Sequence, residues 1–211
     1  MPVNEAITLF HAPNSRSTGV LILLEELGVP YELHVLNMKA GEQRQAAYLA
    51  INPMGKVPAI RHGDVLVTEQ VAIYIYLADL FSQPGLAPGL NDKRRGPYLR
   101  WLAFYAACFE PAVVDKAMQR EPGPAAMSPY GDFDTVISTL TAQLQAGQYI
   151  LGQEFSAADV LWGTALQWMT AFGLVADSPA IKAYVERIST RPAALRVKEQ
   201  DAALAAQQKA S

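Results

Sequence analysis

The sequence predicts an α/β N-terminal domain followed by an all-α C-terminal domain. Short apolar runs near 6–10, 31–35 and 56–67, with helical stretches between and after them, carry the first half of that prediction. A stretch rich in proline and glycine at 82–92 follows, and beyond it only helical periodicity is found. With 211 residues, half of them apolar, the chain is long enough for one large or two small domains with a proper core. A net charge of −3 with the signs mixed along the chain argues against a nucleic-acid or anionic-membrane partner. No apolar run reaches the roughly 18 residues a bilayer span requires. The N-terminus lacks the charged, apolar and small-residue regions of a secretion signal, so a cytoplasmic home is expected. A lone cysteine, Cys108, excludes an intrachain disulfide and any Cys-x-x-Cys redox or zinc site, and no metal is expected.

Residues 6–10 alternate and close at His11-Ala12-Pro13, as a first strand does. From Ser15 or Ser17 the chain is apolar almost all round to Leu27 and stops at Gly28, which predicts a helix buried on several sides. A second strand at 31–35 runs parallel to the first, because a helix connects them. A short helix is expected over 42–51. Strands at 56–61 and 65–67 flank a hairpin turn at His62-Gly63-Asp64, and a helix over 69–81 follows with Thr68 at its N-cap. In the second half a long helix over 93–118 should kink at Pro111. A proline-rich loop and a helix over 130–146 come next. Ser156 and Asp159 then form a capping box for a helix through Trp162, which reads as a folding element. Two further helices start at Pro179 and Pro192, and the Ala/Gln-rich tail after Asp201 is expected to fray.

The organising stretch is Asn52-Pro53-Met54-Gly55-Lys56-Val57-Pro58, with Thr68-Glu69-Gln70 soon after it. Gly55 permits a tight turn, and Pro58 removes a backbone donor where a strand ladder wants one. Either Pro58 is an ordinary loop proline, or the Val57-Pro58 bond is held cis and the Val57 N–H and C=O face outward to bind an extended, peptide-like ligand. The helix start after Glu69 attracts carboxylates. Together these segments resemble the glutathione site of the soluble, bacterial-type glutathione transferases, and the element order resembles their thioredoxin-like domain. The resemblance runs from about Ile7 to about Arg196. It implies a thioredoxin-like glutathione-binding domain at 1–82, a linker at 83–92, an all-helical domain at 93–211 carrying the electrophile pocket, and a homodimer.

Glutathione is then the co-substrate, and its thiol must become a thiolate, the nucleophilic form. The turn Pro13-Asn14-Ser15-Arg16-Ser17 places donors where the first helix begins. By resemblance, Asn14 stands where several classes have a catalytic serine, with Ser15 beside it, and Arg16 stands where one bacterial class has cysteine. Asn14 can donate from its amide but cannot ionise, so Ser15 is the alternative, and both also serve as plain helix caps. The absence of that cysteine disfavours disulfide-exchange reduction. The resemblance assigns glutathione binding to Arg16, Gln43, Lys56, Val57, Pro58, Glu69 and Gln70. Glu69 suits the γ-glutamyl ammonium, Gln70 replaces the family's serine, and Lys56 with Gln43 or Arg44 meets the glycyl carboxylate or is simply solvated. The electrophile pocket is expected among Arg100, Trp101, Phe104, Tyr105 and Cys108, most of which double as core candidates. His11, His34 and His62 have no Ser or Cys partner legible in the sequence, so no hydrolase triad is expected. The expected reaction is attack of glutathione thiolate on a small apolar electrophile, or reduction of a peroxide. Alternatives are a glutathione-dependent isomerase or dehalogenase, and a non-catalytic binding protein on the same scaffold.

Overall fold

Strand β1 (Ile7–His11) buries Ile7 and Leu9 completely, and the alternation that predicts it also fixes its neighbours. The computed structural model describes residues 6–81, 83, 85–120, 123–124 and 126–210. Helix α1 (Ser17–Leu27) returns the chain so that β2 (Tyr31–Val35) lies parallel to β1, with Phe10 opposite His34. The expected helix over 42–51 is broken in two. A 3-10 turn at Glu42–Arg44 gives way at Gln45, which is extended (φ −77°, ψ 151°), before the single turn α2 (Ala46–Leu49). Strand β3 (Ala59–His62) starts later than the apolar run suggests, because Pro58 has no N–H to offer a ladder. It pairs antiparallel with β1, Ala59 facing Phe10, and the hairpin turn at Gly63-Asp64 brings β4 (Val65–Thr68) back alongside it, Thr68 facing Ala59. The sheet order is β2-β1-β3-β4.

Helix α3 (Gln70–Leu80) begins one residue later than expected, and Thr68 is not its cap. Thr68 still pairs in β4, and the N-cap position falls to Glu69, which holds φ 66° and ψ 118° with no side-chain cap bond. By contacts the chain forms two compact units, residues 1–86 with 191–211, and residues 87–190. The final helix α9 (Pro192–Ala210) therefore joins the first unit, whereas the sequence places it with the helices before it. Arg191 grips Glu26 through two hydrogen bonds of 2.7 and 2.8 Å, and Arg196 reaches Glu25 at 2.9 Å. Asp201 of α9 meets His11 at 2.8 Å and the Thr18 hydroxyl at 2.5 Å. The tail does not fray at Asp201: α9 stays helical to Ala210, and Gln208 donates to the Leu36 carbonyl at 3.1 Å.

In the second unit the long helix forms as α4 (Arg95–Phe104), a π-helical turn (Tyr105–Phe109) and α5 (Glu110–Ala117). Pro111 offers no N–H to the carbonyl four residues back. The helix absorbs this by widening, with the Glu110 N–H bonding the Tyr105 carbonyl five residues back. Helix α6 (Phe133–Ala146) starts at Asp132, whose carboxylate accepts the Thr135 N–H at 2.7 Å. The expected start at Tyr130 missed this Asp-x-x-Thr cap. Helix α7 (Ala157–Ala171) carries the expected box. The fully buried Asp159 carboxylate accepts from the Ser156 N–H (2.9 Å) and hydroxyl (3.0 Å), the Ile150 N–H (2.7 Å) and the Tyr184 hydroxyl (2.8 Å). Burial pushes this carboxyl up, against the pull of those donors. Helix α8 (Pro179–Ser189) packs so closely on α7 that a Cβ on Gly163 would stand 2.4 Å from Ile188 Cγ2.

Two expectations follow. Gly163→Val forces that contact and, by overpacking, lowers unfolding stability by about 1–3 kcal/mol. Chemical denaturation measures it, and Ile188→Ala in the same chain should return part of the loss. For Asp201, burial pushes the carboxyl up, but hydrogen bonds from His11, Thr18 and the Asn14 N–H outweigh it and hold the group below its ordinary value. The folded state thus binds fewer protons than the unfolded chain. The stability this supplies is complete above the unfolded pKa of about 3.9 and is lost as pH falls through the lower folded value. In urea melts across that range, Asp201→Asn should be less stable than the parent at neutral pH and converge on it in acid.

Candidate active site at one end of the sheet

Because β3 runs antiparallel to β1, three loops emerge at the same end of the sheet. They are the turn after β1, the approach to β3 and the exit from β4. In the first, Asn14 takes φ 55°, a left-handed conformation asparagine tolerates better than most residues, and its N–H points to Asp201 Oδ2 at 3.3 Å. Ser15 is half-buried. Its Oγ accepts the Ser17 N–H at 3.2 Å and shares a 2.6 Å hydrogen bond with Ser17 Oγ. Arg16 is exposed at the N-cap of α1, and its carbonyl accepts from Gln70 Nε2 at 3.3 Å, linking the first loop to the third.

In the second loop, Asn52 is a buried clamp. Its carbonyl takes the Gly55 N–H at 2.8 Å, its Oδ1 takes the Met54 N–H at 3.1 Å, and its Nδ2 donates to the Lys56 carbonyl at 2.9 Å. Gly55 holds φ 60°, and a Cβ there would stand 2.8 Å from the Gln43 carbonyl, so only glycine fits. The Tyr48 hydroxyl donates to the same Lys56 carbonyl at 2.6 Å, and burial pushes its phenol up to about 12, so it remains a donor at neutral pH. The Val57-Pro58 bond is cis, as the second of the two readings of this stretch requires. Among the described residues, no hydrogen bond is found to the Val57 N–H or C=O. The Lys56 side chain is exposed, and Gln43 buries an amide oxygen that has no partner among the described residues.

In the third loop, Glu69 is exposed in a backbone conformation that costs a non-glycine residue about 1–3 kcal/mol. Its carbonyl already opens α3 by accepting the Ile73 N–H at 3.0 Å, so the turn aims the carboxylate outward beside the helix start. The arrangement thus offers a Val57 N–H and C=O without a partner among the described residues, a carboxylate at the exit of β4 and a hydroxyl at a helix N-terminus. No group of three metal-ligating side chains occurs among the described residues, nor is any described helix long and apolar enough to cross a membrane.

Sequence reasoning missed His11 and Asp201. Both are buried, His11 completely, and His11 does have a serine partner: its Nδ1 meets Ser17 Oγ at 2.8 Å while its Nε2 meets Asp201. The spacing of His11, Ser15 and Ser17 around one turn was a local signal. Asp201 lies 190 positions away and gave none.

In the second unit, Trp101 and Tyr105 lie in the core, edge-on to the buried Trp162 with ring centroids 5.9 and 5.5 Å away. Phe104 and Cys108 are half-buried, and the exposed Arg100 lays its guanidinium 3.8 Å from the Trp101 ring centroid and 4.8 Å from that of Phe104. A cavity of about 520 Å³ opens on the next stripe of the same helix, lined by Ala106, Glu110, Pro111 and Val114 and, from the loop before α6, by Tyr130.

The family model for the glutathione S-transferase N-terminal domain matches residues 5–79, and that for the C-terminal domain matches residues 113–192. Glutathione S-transferase F10 of Arabidopsis thaliana is 27% identical over 203 residues, spanning 89% of this chain and 94% of its own. Glutathione S-transferase GstA of Escherichia coli O157:H7 is 29% identical over 187 residues, spanning 87% and 93%. Among solved structures, a glutathione transferase from Methylococcus capsulatus superposes with a TM-score of 0.79 at 28% identity, over 93% of this chain and 99% of its own. A sphingomonad glutathione S-transferase complexed with glutathione gives 0.78 at 28%, over 92% and 98%. With both halves matched and the whole architecture shared, the chain belongs to the glutathione S-transferase family.

Proposed function

We propose that the chain is a glutathione transferase that lays the tripeptide along the Val57 edge, ionises its thiol at the start of α1 and delivers the thiolate to a small apolar electrophile or an organic peroxide. The observation that carries the reading is the unpaired Val57 backbone, fixed between a Lys56 carbonyl held by Tyr48 and Asn52 and the cis Pro58. An extended backbone docks there by adding its own N–H and C=O, as a further strand does. Glu69 takes the γ-glutamyl ammonium, and the Gln70 N–H at the first position of α3 faces the adjoining carboxylate. Arg16, Lys56 and the Gln43 amide take the glycyl end and the outer surface of the ligand, and Pro58 fixes the edge.

Ser15 and Asn14 are the donors for sulfur. Lowering a thiol pKa by about two units takes roughly 2.7 kcal/mol of preference for the anion. A hydrogen bond to a charged group contributes about 1.5–3 kcal/mol, and a helix N-terminus about 0.3–1. One hydroxyl at the start of α1 is therefore sufficient. The electrophile is assigned to the second unit, where Arg100, Phe104 and Cys108 keep exposed surface over the buried Trp101 and Tyr105. The functional protein in this proposal is a homodimer, and sedimentation showing only monomer at working concentration counts against that part.

The test is calorimetric titration with glutathione, together with the thiolate absorbance of the bound ligand followed against pH. The Asn14→Ala, Ser15→Ala double variant should keep most of the binding heat, since Val57 and Glu69 remain. Its bound-thiol pKa should rise by about one to two units and kcat/KM at neutral pH fall about 10–100-fold. Unchanged turnover with an unchanged thiol pKa would falsify the assigned roles.

A further inference from the structure

Behind Ser15 a single file of side chains leads into the protein. Ser15 Oγ lies 2.6 Å from Ser17 Oγ, Ser17 Oγ lies 2.8 Å from His11 Nδ1, and His11 Nε2 lies 2.8 Å from Asp201 Oδ1. Ser15 alone of these residues is more than slightly exposed. His11 and Ser17 are fully buried, and Asp201 is 5% exposed.

The polarity of the file follows from which groups have protons to give. Asp201 Oδ2 already accepts from the Thr18 hydroxyl at 2.5 Å and the Asn14 N–H at 3.3 Å, as an ionised carboxylate does. Its Oδ1 then accepts a proton held on His11 Nε2. In the neutral imidazole that leaves Nδ1 as a lone pair, aimed at Ser17 Oγ. The Ser17 hydroxyl donates to Nδ1, its longer alternative being the Ala12 carbonyl at 3.2 Å, and its oxygen accepts the Ala12 N–H at 3.0 Å. Ser15 in turn donates to Ser17. With His11 neutral, the Ser15 hydroxyl therefore points its hydrogen inward and shows lone pairs to the site. That is the wrong orientation for stabilising a thiolate, and the right one for accepting a thiol proton.

From this we infer that Ser15, Ser17 and His11 form a proton relay, anchored by Asp201, that carries the proton of the bound thiol into the protein. The S–H bond breaks as Ser15 Oγ takes its proton. Ser15 passes its own to Ser17 Oγ, Ser17 passes its own to His11 Nδ1, and the electron pair stays on sulfur. The products are a thiolate and an imidazolium held against Asp201. Ser15 now carries the former thiol proton and points it back at the anion. His11 is the terminal acceptor, while Ser17 and Asp201 are positioning residues that never touch the ligand. Other charges near His11 leave Asp201 as its partner. Arg191, just before α9, and Arg196 on it are engaged by Glu26 and Glu25 of α1. On the neighbouring strands, Glu32, His34 and Arg61 are exposed. The buried His62 of β3 turns its Nδ1 to the Tyr76 hydroxyl at 2.9 Å.

The relay rests on the glutathione reading above, and one experiment separates the two. Glutathione is titrated into the protein in buffers of different ionisation enthalpy, which counts the protons released, while ultraviolet absorbance counts the thiolate formed. At neutral pH the parent protein should form thiolate with close to no proton released to the buffer. Ser17→Ala should bind glutathione with a heat like the parent's, but its thiolate fraction at neutral pH should fall roughly tenfold, one unit of thiol pKa. A parent protein that releases about one proton for each thiolate formed overturns the relay even if every variant fails to fold. So does a folded Ser17→Ala variant with parental thiol pKa and proton count. Absence of any binding heat in the parent overturns the glutathione reading, and the relay with it.

Discussion

The pairing of β3 antiparallel to β1 decides where everything else at the site can be. With Ala59 opposite Phe10 and Thr68 opposite Ala59, the end of β1, the beginning of β3 and the end of β4 share one edge of the sheet. Had β3 run parallel, as β2 does, the Val57 edge would lie at the far end of the strands from Ser15. The backbone ladder therefore sets how the three loops are spaced, and the side chains only decorate them. The cluster of Phe10, Leu36, Tyr48 and Ala59, with Ile51 and Val57 packed against it, makes that placement rigid from beneath. Tyr48 belongs to both levels, since its ring fills this core while its hydroxyl holds the Lys56 carbonyl.

A second dependence runs through α9. The residues that hold the Asn14 N–H, the Thr18 hydroxyl and the His11 ring come from one carboxylate near the end of the chain. The turn that presents Ser15 is short and polar, and an unsupported turn of that kind would sample several conformations. Asp201, with the Arg191 and Arg196 pairs on either side of α1's far end, ties it down. The cost of burying the carboxylate is offset by the number of donors that meet it.

Much of this was legible beforehand, for reasons that differ from residue to residue. Strand alternation, the apolar helix before Gly28 and the Ser156–Asp159 box are local signals, and each produced the element it implied. Asn52 to Pro58 was legible because glycine and proline leave few choices of backbone. The starts of α3 and α6 were misjudged where strand pairing or a side chain competed with helix propensity, at Thr68 and Asp132, and α2 starts late because the backbone is extended at Gln45. Of the aromatic residues on the long helix, Trp101 and Tyr105 could not be told from pocket residues by spacing alone, because Trp162, which they surround, is 61 positions from Trp101. The His11 file was invisible for the same reason. A buried polar chain needs a partner at each end, and one end was supplied by Asp201, on a helix expected to fray just beyond it.

The widened turn at Tyr105–Phe109 does more than accommodate Pro111. Each residue of an α-helix advances the face by about 100°. A turn that closes over five residues instead of four thus holds one residue's worth of extra rotation, and the stripe that continues Trp101 below it differs from the one an unbroken helix would continue. Glu110 and Val114 owe their place on the cavity wall to that offset. A chain shortened by one residue within this turn would keep its helix and its core aromatics yet swing a different set of side chains onto the wall, so the shape of this cavity is encoded in a register as much as in the identity of the lining residues.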